Sequence, residues 1–234
     1  MTLFKGKKKW TTLTKNDIIN MEPPKDIGYV YMVDVRTEHT RHRLRNQMEG
    51  QLRMVRRNLE DLPDLQCPDG YHIRIYQEGD EVHWARIMDT AFVNQDRTAQ
   101  DTYANVISQP DFDPNGFFFA VYEGLPIGTA CAWQRCFRDE RVGYIDMLAV
   151  LPEHTGHKLG KWLTLFLLHY FRAQRLTCVV LDTDDFRLPA IKNYLNLGFV
   201  PISIRENHKL RWRDVFEKLG LSKNEIASSV QKLS

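Results

Sequence analysis

The chain has 234 residues, of which 43% are hydrophobic and 26% charged, a composition typical of a globular protein and unlike a disordered one. Its net charge of +2 gives no overall argument for nucleic-acid binding. No apolar run approaches the roughly 18–20 residues that cross a bilayer, and the basic N-terminus lacks the apolar segment of a secretory signal. We therefore expect a cytoplasmic protein that binds neither nucleic acid nor a membrane.

The cysteines form no C-x-x-C pair and are expected to be reduced thiols. They are Cys67, Cys131, Cys136 and Cys178. Together with Cys67, the histidines His39, His42 and His72 match no zinc-binding spacing. The sequence therefore predicts no metal site.

An N-terminal segment carries apolar residues at steps of three and four, the spacing of one helix face. These residues are Leu44, Met48, Leu52, Val55, Leu59 and Leu62. Five arginines lie off this stripe: Arg41, Arg45, Arg53, Arg56 and Arg57. The pattern predicts a basic amphipathic helix, whose arginine face is either solvated or binds an anionic partner. Residues 61–70 (DLPDLQCPDG) are typical of a linker.

Beyond the linker, the pattern alternates between strands and helices. Strands are predicted at residues 71–76, 117–122, 127–133, 142–150, 178–183 and 199–204, with a polar turn at 137–143. Helices are predicted at residues 81–92, 159–175, 189–197, 211–219 and 223–233. The inner face of the second helix is predicted to use Leu159, Trp162, Leu163, Phe166 and Tyr170. We therefore divide the chain into an extension (1–69), a mixed-sheet domain (70–210) and a helical tail (211–234).

Residues 144–161 (YIDMLAVLPEHTGHKLGK) combine a strand end, a glycine-containing turn and a helix N-terminus. The first N–H groups of a helix lack intrahelical partners and the helix dipole adds positive charge, so such a turn can bind an anion. Gly156 would let the backbone approach a phosphate closely, because glycine has no Cβ. His157, Lys158 and Lys161 add basic side chains. The segment lacks the signature of a P-loop, so an ordinary strand-to-helix turn is the alternative.

This stretch resembles the acetyl-CoA motif of the GCN5-related N-acetyltransferases (GNAT family). The family's fourth strand ends in an apolar triplet, here Leu148, Ala149 and Val150, before a P-E-x-R-G-like turn, here residues 152–156. The family segment A-[IV]-x-x-Y-x-x-x-G-F is matched by AIKNYLNLGF at residues 190–199. The resemblance implies an α/β fold with a mixed, mostly antiparallel sheet flanked by helices. Its fourth and fifth strands are splayed apart, and here an N-terminal helical extension is added.

The pyrophosphate signature of the family, Q/R-x-x-G-x-G/A, is altered in this chain. Thr155 replaces the Arg or Gln, Lys158 replaces a glycine, and Gly160 is kept. We expect Lys158 to adopt helical dihedrals and to pair with a phosphate. Arg187 replaces a common Asn and either contacts the cofactor or is solvated. The resemblance implies a cofactor-binding set of Leu148, Ala149, Val150, Thr155, Gly156, His157, Lys158, Leu159, Gly160, Lys161 and Arg187, with the main chain of Leu148 and Val150 bonding to the pantetheine arm.

Asp146 is a charged residue within an apolar strand, which suggests that its side chain faces a polar cleft. The period of two places Tyr144, Asp146 and Leu148 on one strand face. The family often carries its base here, so Asp146 is the expected general base, acting directly or through water; a structural carboxylate is the alternative. Tyr144 would orient the acceptor or relay a proton. Tyr194 matches the family tyrosine that donates a proton to the CoA thiolate; otherwise it simply packs on the sheet.

Three acidic residues follow the predicted strand at 178–183: Asp182, Asp184 and Asp185. They either hold an amine or cap the next helix. The resemblance implies an N-acetyltransferase that transfers an acetyl group from acetyl-CoA to a primary amine of a small molecule or peptide. Direct attack in a ternary complex is expected, by a monomer or homodimer. The alternative is a non-catalytic acyl-CoA-binding or regulatory module. The acceptor loops are expected at residues 94–103, 133–141 and after 201.

Overall fold

The structure, a computed structural model, describes residues 50–92, 97–109, 112–137 and 140–221. The part of the predicted basic helix before residue 50 and the predicted helix at 223–233 lie outside these residues. Within them, seven strands form one sheet: β1 (Leu52–Arg56), β2 (Tyr71–Ile75), β3 (Phe117–Tyr122), β4 (Leu125–Phe137), β5 (Glu140–Val150), β6 (Cys178–Thr183) and β7 (Val200–Ile202). The helices are α1 (Glu81–Phe92), α2 (Ala99–Thr102) with a π-helical continuation (Tyr103–Ile107), α3 (Leu159–Ala173), α4 (Leu188–Asn196) and α5 (His208–Lys218). Short 3₁₀ turns lie at Pro114–Gly116 and Pro152–His154.

The strand order across the sheet is β2-β3-β4-β5-β6-β1-β7. The neighbouring strands pair antiparallel except β5 and β6, which are parallel. The expected mixed, mostly antiparallel sheet flanked by helices is therefore confirmed.

Strand β1 corrects the predicted N-terminal helix. It pairs with β6 from Leu52 opposite Thr183 to Arg56 opposite Val179, and with β7 on its other side. A helix through Leu52 and Val55 is therefore wrong for this segment. A short apolar run is compatible with both the helical and the strand periodicity. The segment forms a strand because pairing with β6 and β7 buries residues 52–55. This strand of the predicted extension belongs to the same sheet as the strands of the predicted domain.

The linker that follows β1 has no regular secondary structure, as predicted. It is tied to helix α3, where the His169 Nε2 lies 2.8 Å from the Pro63 carbonyl oxygen. The chain reverses within the predicted polar turn at 137–143, but the prediction is too long, because β4 continues to Phe137 and β5 begins at Glu140. Residues 99–103 of the predicted acceptor loop at 94–103 are helical.

Helix α3 buries Leu159, Trp162 and Leu163 as predicted. Phe166 and Tyr170 are instead half-buried, and both pack edge-on against Phe118 of β3. The buried face further along the helix consists of Thr164, Leu165, Leu167, Leu168 and Phe171.

Strands β5 and β6 separate partway along their length. They pair only from Val142 opposite Cys178 to Ile145 opposite Leu181, although β5 continues to Val150. Among the described residues, no strand pairs with the end of β5 on its β6 side. This is the expected splay between the family's fourth and fifth strands, which are β5 and β6 here.

A β-bulge lies on β5 at the point of separation. The register with β4 shifts between Thr129, which faces Ala149, and Cys131, which faces Asp146. Met147 has a φ of 51°, in the left-handed region that non-glycine residues rarely adopt. The bulge bends the end of β5 away from β6 and opens the sheet.

Candidate active site

A cleft of about 320 Å³ opens where β5 and β6 part. Helix α1 forms one wall with Trp84, Met88 and Phe92, and α4 contributes Ala190 and Tyr194. The remaining lining residues are Gln51, Arg97, Tyr144, Ile145, Asp146, Met147, Leu148, Leu181, Asp182, Thr183 and Arg187. The three residues predicted to be catalytic, Tyr144, Asp146 and Tyr194, thus line one cavity.

Asp146 lies at the bulge and is half-buried. Its Oδ1 accepts a hydrogen bond of 2.8 Å from the Met147 backbone N–H. This bond stabilises the left-handed backbone of Met147, so the carboxylate helps to hold the strand in the shape that forms the cleft. The same side chain lines the cleft, so the structural and catalytic readings of Asp146 are compatible.

Tyr194 projects from α4 and is only 7% exposed. Burial raises the pKa of its phenol to about 12; nearby Arg187 acts in the opposite direction and Asp184 in the same one. The ring also packs edge-on against Phe199, the residue before β7. Tyr194 therefore remains protonated at neutral pH and is available as a donor in the cleft.

Tyr144 is part of a buried hydrogen-bonded network. Its hydroxyl donates to the Asp182 Oδ2 over 3.1 Å. The Arg53 guanidinium donates to both oxygens of Asp182, from Nε over 2.7 Å and from the second nitrogen over 2.8 Å. Burial raises the pKa of Tyr144 well above its ordinary value, and the charge of Asp182 adds to the effect. Because the Tyr144 phenol stays protonated and donates to Asp182, it is better suited to orient the acceptor than to relay a proton.

The other two acidic residues of the run also bind arginines. Asp184 accepts from the Arg187 Nε over 2.9 Å, and Asp185 from the Arg211 Nε over 3.2 Å. The N-cap of α4 is Arg187 itself, without a side-chain capping bond, so the predicted capping by these aspartates is wrong. The guanidinium of Arg187 lies 4.3 Å from the Phe92 ring centre, so Arg187 is held in the cleft wall rather than solvated.

The turn between β5 and α3 has the features expected of an anion cradle. Gly156 has a φ of 88°, and a Cβ added there would meet no atom within 4 Å. Helix α3 begins at Leu159 without a side-chain cap, so its first N–H groups can bind a ligand. Thr155 closes the turn by donating its hydroxyl to the Pro152 carbonyl over 2.8 Å.

Lys158 departs from the expected conformation. Its φ of 59° lies in the left-handed region, so the prediction of helical dihedrals is wrong. The chain must reverse from the turn into α3 at this residue, and glycine makes that reversal without strain. This explains physically why the family has a glycine at the equivalent position.

The remaining predicted cofactor-binding residues are distributed around this turn. His157, Lys158 and Lys161 are exposed and line a second hollow, of about 510 Å³, together with Pro63, Asp64 and residues 66–68. The side chains of Ala149 and Leu159 are buried in the core, so these residues offer a ligand only their main chain. Gly160 is half-buried in the first turn of α3, and Leu148 and Val150 are half-buried at the open end of β5.

The sequence did not indicate Gln51, Arg53 or the apolar wall from α1 as site residues. Trp84, Met88 and Phe92 recur every four residues, a signal that alone does not separate a cleft wall from a core face.

In the described part of the chain, no group of three His, Cys, Asp or Glu side chains is arranged to hold a metal ion. No helix of the described ranges has the length and apolar character to span a membrane.

Comparison with known proteins gives consistent results. The model of the acetyltransferase (GNAT) family matches residues 80–199. Mycothiol acetyltransferase of Thermomonospora curvata is 35% identical over 160 residues, covering 65% of this chain and 52% of that protein. The enzyme of the same name from Streptomyces griseus is 33% identical over 155 residues, covering 64% of this chain and 50% of the relative. The chain thus spans about half the length of the curated relatives it matches.

Among solved structures, a GCN5-related N-acetyltransferase from Sphaerobacter thermophilus aligns with a TM-score of 0.47 and 20% identity, covering 71% of this chain and 54% of that one. The family match carries the assignment, because it includes the bulged strand β5, the cradle and the Tyr194 helix and extends over half of the residues. The chain belongs to the acetyltransferase (GNAT) family.

Proposed function

We propose that this chain transfers the acetyl group of acetyl-CoA to a primary amine of a small molecule, by direct attack in a ternary complex. The observation that carries the proposal is the open end of β5 beyond Ile145, which faces α4 across the cleft. The relatives named mycothiol acetyltransferases favour a small-molecule acceptor over a peptide. The cytoplasmic location and the monomeric or dimeric state remain predictions.

The residues present fit coenzyme A. An extended pantetheine arm can bond to the backbone of Leu148 and Val150, where none of the described strands pairs with β5 on its β6 side. The open space over Gly156 and the uncapped start of α3 suit a diphosphate. Acetyl-CoA, when bound, supplies an activated acetyl group and a thiolate leaving group.

The side chains in the cleft divide the chemistry between them. Asp146 takes up the proton that the amine loses, directly or through a water. Tyr194 donates a hydrogen bond to the departing sulfur. Because its pKa of about 12 exceeds the ordinary value of a thiol, near 8.5, Tyr194 stabilises the thiolate mainly as a hydrogen-bond donor. Tyr144 orients the amine.

A thiol-release assay tests the proposal. Purified protein is mixed with acetyl-CoA and a library of small primary amines, and free thiol is followed spectroscopically. We expect amine-dependent thiol release that the Asp146→Asn, Tyr194→Phe double variant loses. Coenzyme A binding without thiol release for any amine, and without acetylated product by mass spectrometry, would instead support the non-catalytic acyl-CoA-binding module.

A further inference from the structure

Strand β1 lies outside the segment matched by the family model, yet it contributes to the cleft. It is inserted between β6 and β7 and carries Arg53, whose side chain is 2% exposed. The residue before β1, Gln51, lines the cleft and donates its amide to the Asp184 Oδ1 over 2.9 Å. A segment beyond the family match thus helps to build the site.

The ion pair between Arg53 and Asp182 fixes the direction of a neighbouring hydrogen bond. Both carboxylate oxygens accept from the guanidinium, a two-pronged geometry that locks the carboxylate plane. An ionised carboxylate can only accept hydrogen bonds, so the Tyr144 hydroxyl must be the donor in its hydrogen bond with Asp182. The phenolic oxygen of Tyr144 is then left with lone pairs and no proton to offer.

We propose that Asp182, locked by Arg53, is a positioning residue that makes the Tyr144 oxygen a hydrogen-bond acceptor for an N–H of the attacking amine. This inference rests on the proposed function. A neutral primary amine has two N–H donors and one lone pair. Holding one N–H on Tyr144 restricts rotation of the nitrogen and directs its lone pair toward the acetyl carbonyl.

The surroundings of the pair argue for a functional role. Burying an ion pair costs desolvation, and apolar residues of similar volume often stabilise a fold equally well. On the same face of the sheet, Val55 lies two residues from Arg53 and Val180 two residues from Asp182, and both are buried apolar residues, so such a replacement would suit the sheet. Asp182 nevertheless lines the cleft beside Tyr144, where its charge directs a hydroxyl.

A double-mutant cycle tests the proposal with the full chain. Tyr144→Phe removes only the hydroxyl, and we expect kcat/KM for the amine to fall roughly tenfold, the value of one hydrogen bond to the nucleophile. Asp182→Asn should cause a similar loss. The two changes together should cost roughly tenfold rather than hundredfold, because both remove the same directed bond. Affinity for acetyl-CoA, measured by calorimetry, should stay constant.

The adjacent pair of Asp185 and Arg211 provides a matched control. Asp185→Asn removes the same charge from a similar buried pair, and Asp185 is not among the cleft residues. It should leave the acceptor KM unchanged even if the melting temperature falls. If Asp182→Asn does not fold, Arg53→Lys replaces it, keeping the charge but losing the two-pronged bond. Arg53→Lys should lower kcat/KM less than Asp182→Asn does. That loss should disappear in the Tyr144→Phe background.

If the losses of kcat/KM caused by Asp182→Asn and by Tyr144→Phe add in the double variant, the positioning role is overturned while the proposed acetyl transfer stays intact. An equal loss of acceptor kcat/KM in Asp185→Asn would do the same. Absence of amine-dependent thiol release in the unmodified protein would instead refute the proposed function, and the positioning role with it.

Discussion

Single residues at the end of β5 determine the shape and the polarity of the cleft. Met147 adopts a left-handed backbone, and the Asp146 carboxylate stabilises it through the Met147 N–H. Strain of this kind costs about 1–3 kcal/mol and is concentrated at functional sites. Here it separates β5 from β6 and exposes Asp146 to the cavity. The same carboxylate can then serve an amine.

Asp146→Asn should reduce kcat by about 10²–10⁴-fold, because an amide cannot accept the proton of the amine. The hydrogen bond to Met147 can be retained by the amide oxygen, so the fold should persist. The measurement is the pH dependence of kcat/KM. We expect the variant to lose the acidic limb that the parent shows; superimposable profiles would remove Asp146 as the base.

Tyr194→Phe should lower turnover by about 10–10³-fold with little change in affinity for coenzyme A, since only the donor to the sulfur is lost. Stopped assays with saturating acetyl-CoA measure the turnover, and calorimetry measures the affinity. A variant as fast as the parent would reduce Tyr194 to a packing residue.

His208 makes stability depend on pH. Its side chain is fully buried, and burial lowers its pKa to about 4, with the neighbouring Arg211 and Arg205 acting in the same direction. The unfolded chain takes up a proton near pH 6.5, whereas the folded chain does not. The contribution of neutral His208 to the free energy of unfolding is therefore complete above pH 6.5. Up to ~3 kcal/mol of it is lost as the pH falls from 6.5 to 4.

Urea unfolding at pH 7 and pH 4.5 measures this effect. His208→Gln, which cannot be protonated, should show a smaller loss of unfolding free energy between the two pH values than the parent protein. Equal losses in both proteins would show that other groups dominate the acid sensitivity.

At the scale of elements, the β5–α3 turn combines two left-handed residues with an uncapped helix start. Gly156 is the residue over which the structure leaves open space, and Lys158 makes the final reversal before α3. Neither the sheet nor the helix needs this space for packing. The turn is therefore the element in which coenzyme A affinity should be most sensitive to substitution.

Gly156→Val should weaken coenzyme A binding at least roughly tenfold, because the side chain enters the cradle and strains the backbone. Gly124→Val is a matched control. Gly124 has a φ of 81° and open space above it, in the turn between β3 and β4. The control should lose stability but keep its affinity by calorimetry. Equal affinity in both variants would count against the cradle.

The local sequence pattern predicted those elements whose conformation depends mainly on their own residues. The apolar run of β3 and the periodic helix α1 were found with their exact ends. Strand β1 was missed because its apolar spacing also fits a helix, and its partners Val179 and Thr183 lie more than 120 residues away. Likewise, no glycine marks the left-handed Met147. Tyr144, Asp146 and Leu148 on β5 and Tyr194 on α4 were predicted as site residues and line the cleft. The contributions of Gln51 and Arg53 depend on a strand pairing that the sequence of one strand does not reveal.

At the scale of the whole molecule, β1 adds a segment from outside the family match to the sheet that forms the cleft. Leu52, Met54 and Val55 are fully buried between β6 and β7, and Arg53 pairs with Asp182. The predicted boundary after residue 69 would thus divide a single sheet. We expect the described fold to depend on residues 50–56 as much as on the family segment.

Two truncated chains test this dependence. A chain beginning at Asp69 lacks β1 and leaves Asp182 buried without its arginine, so it should melt far below a chain beginning at Gly50. Thermal unfolding followed by circular dichroism makes the comparison. Equal melting temperatures would show that β1 is dispensable for the sheet.

The most direct test of the account is isothermal titration calorimetry of the purified protein with acetyl-CoA, followed by addition of a small primary amine under thiol detection. The account predicts saturable binding of one acetyl-CoA per chain, weakened by Gly156→Val but not by Gly124→Val, and thiol release once the amine is added. Neither heat nor a thermal shift at millimolar coenzyme A would contradict it.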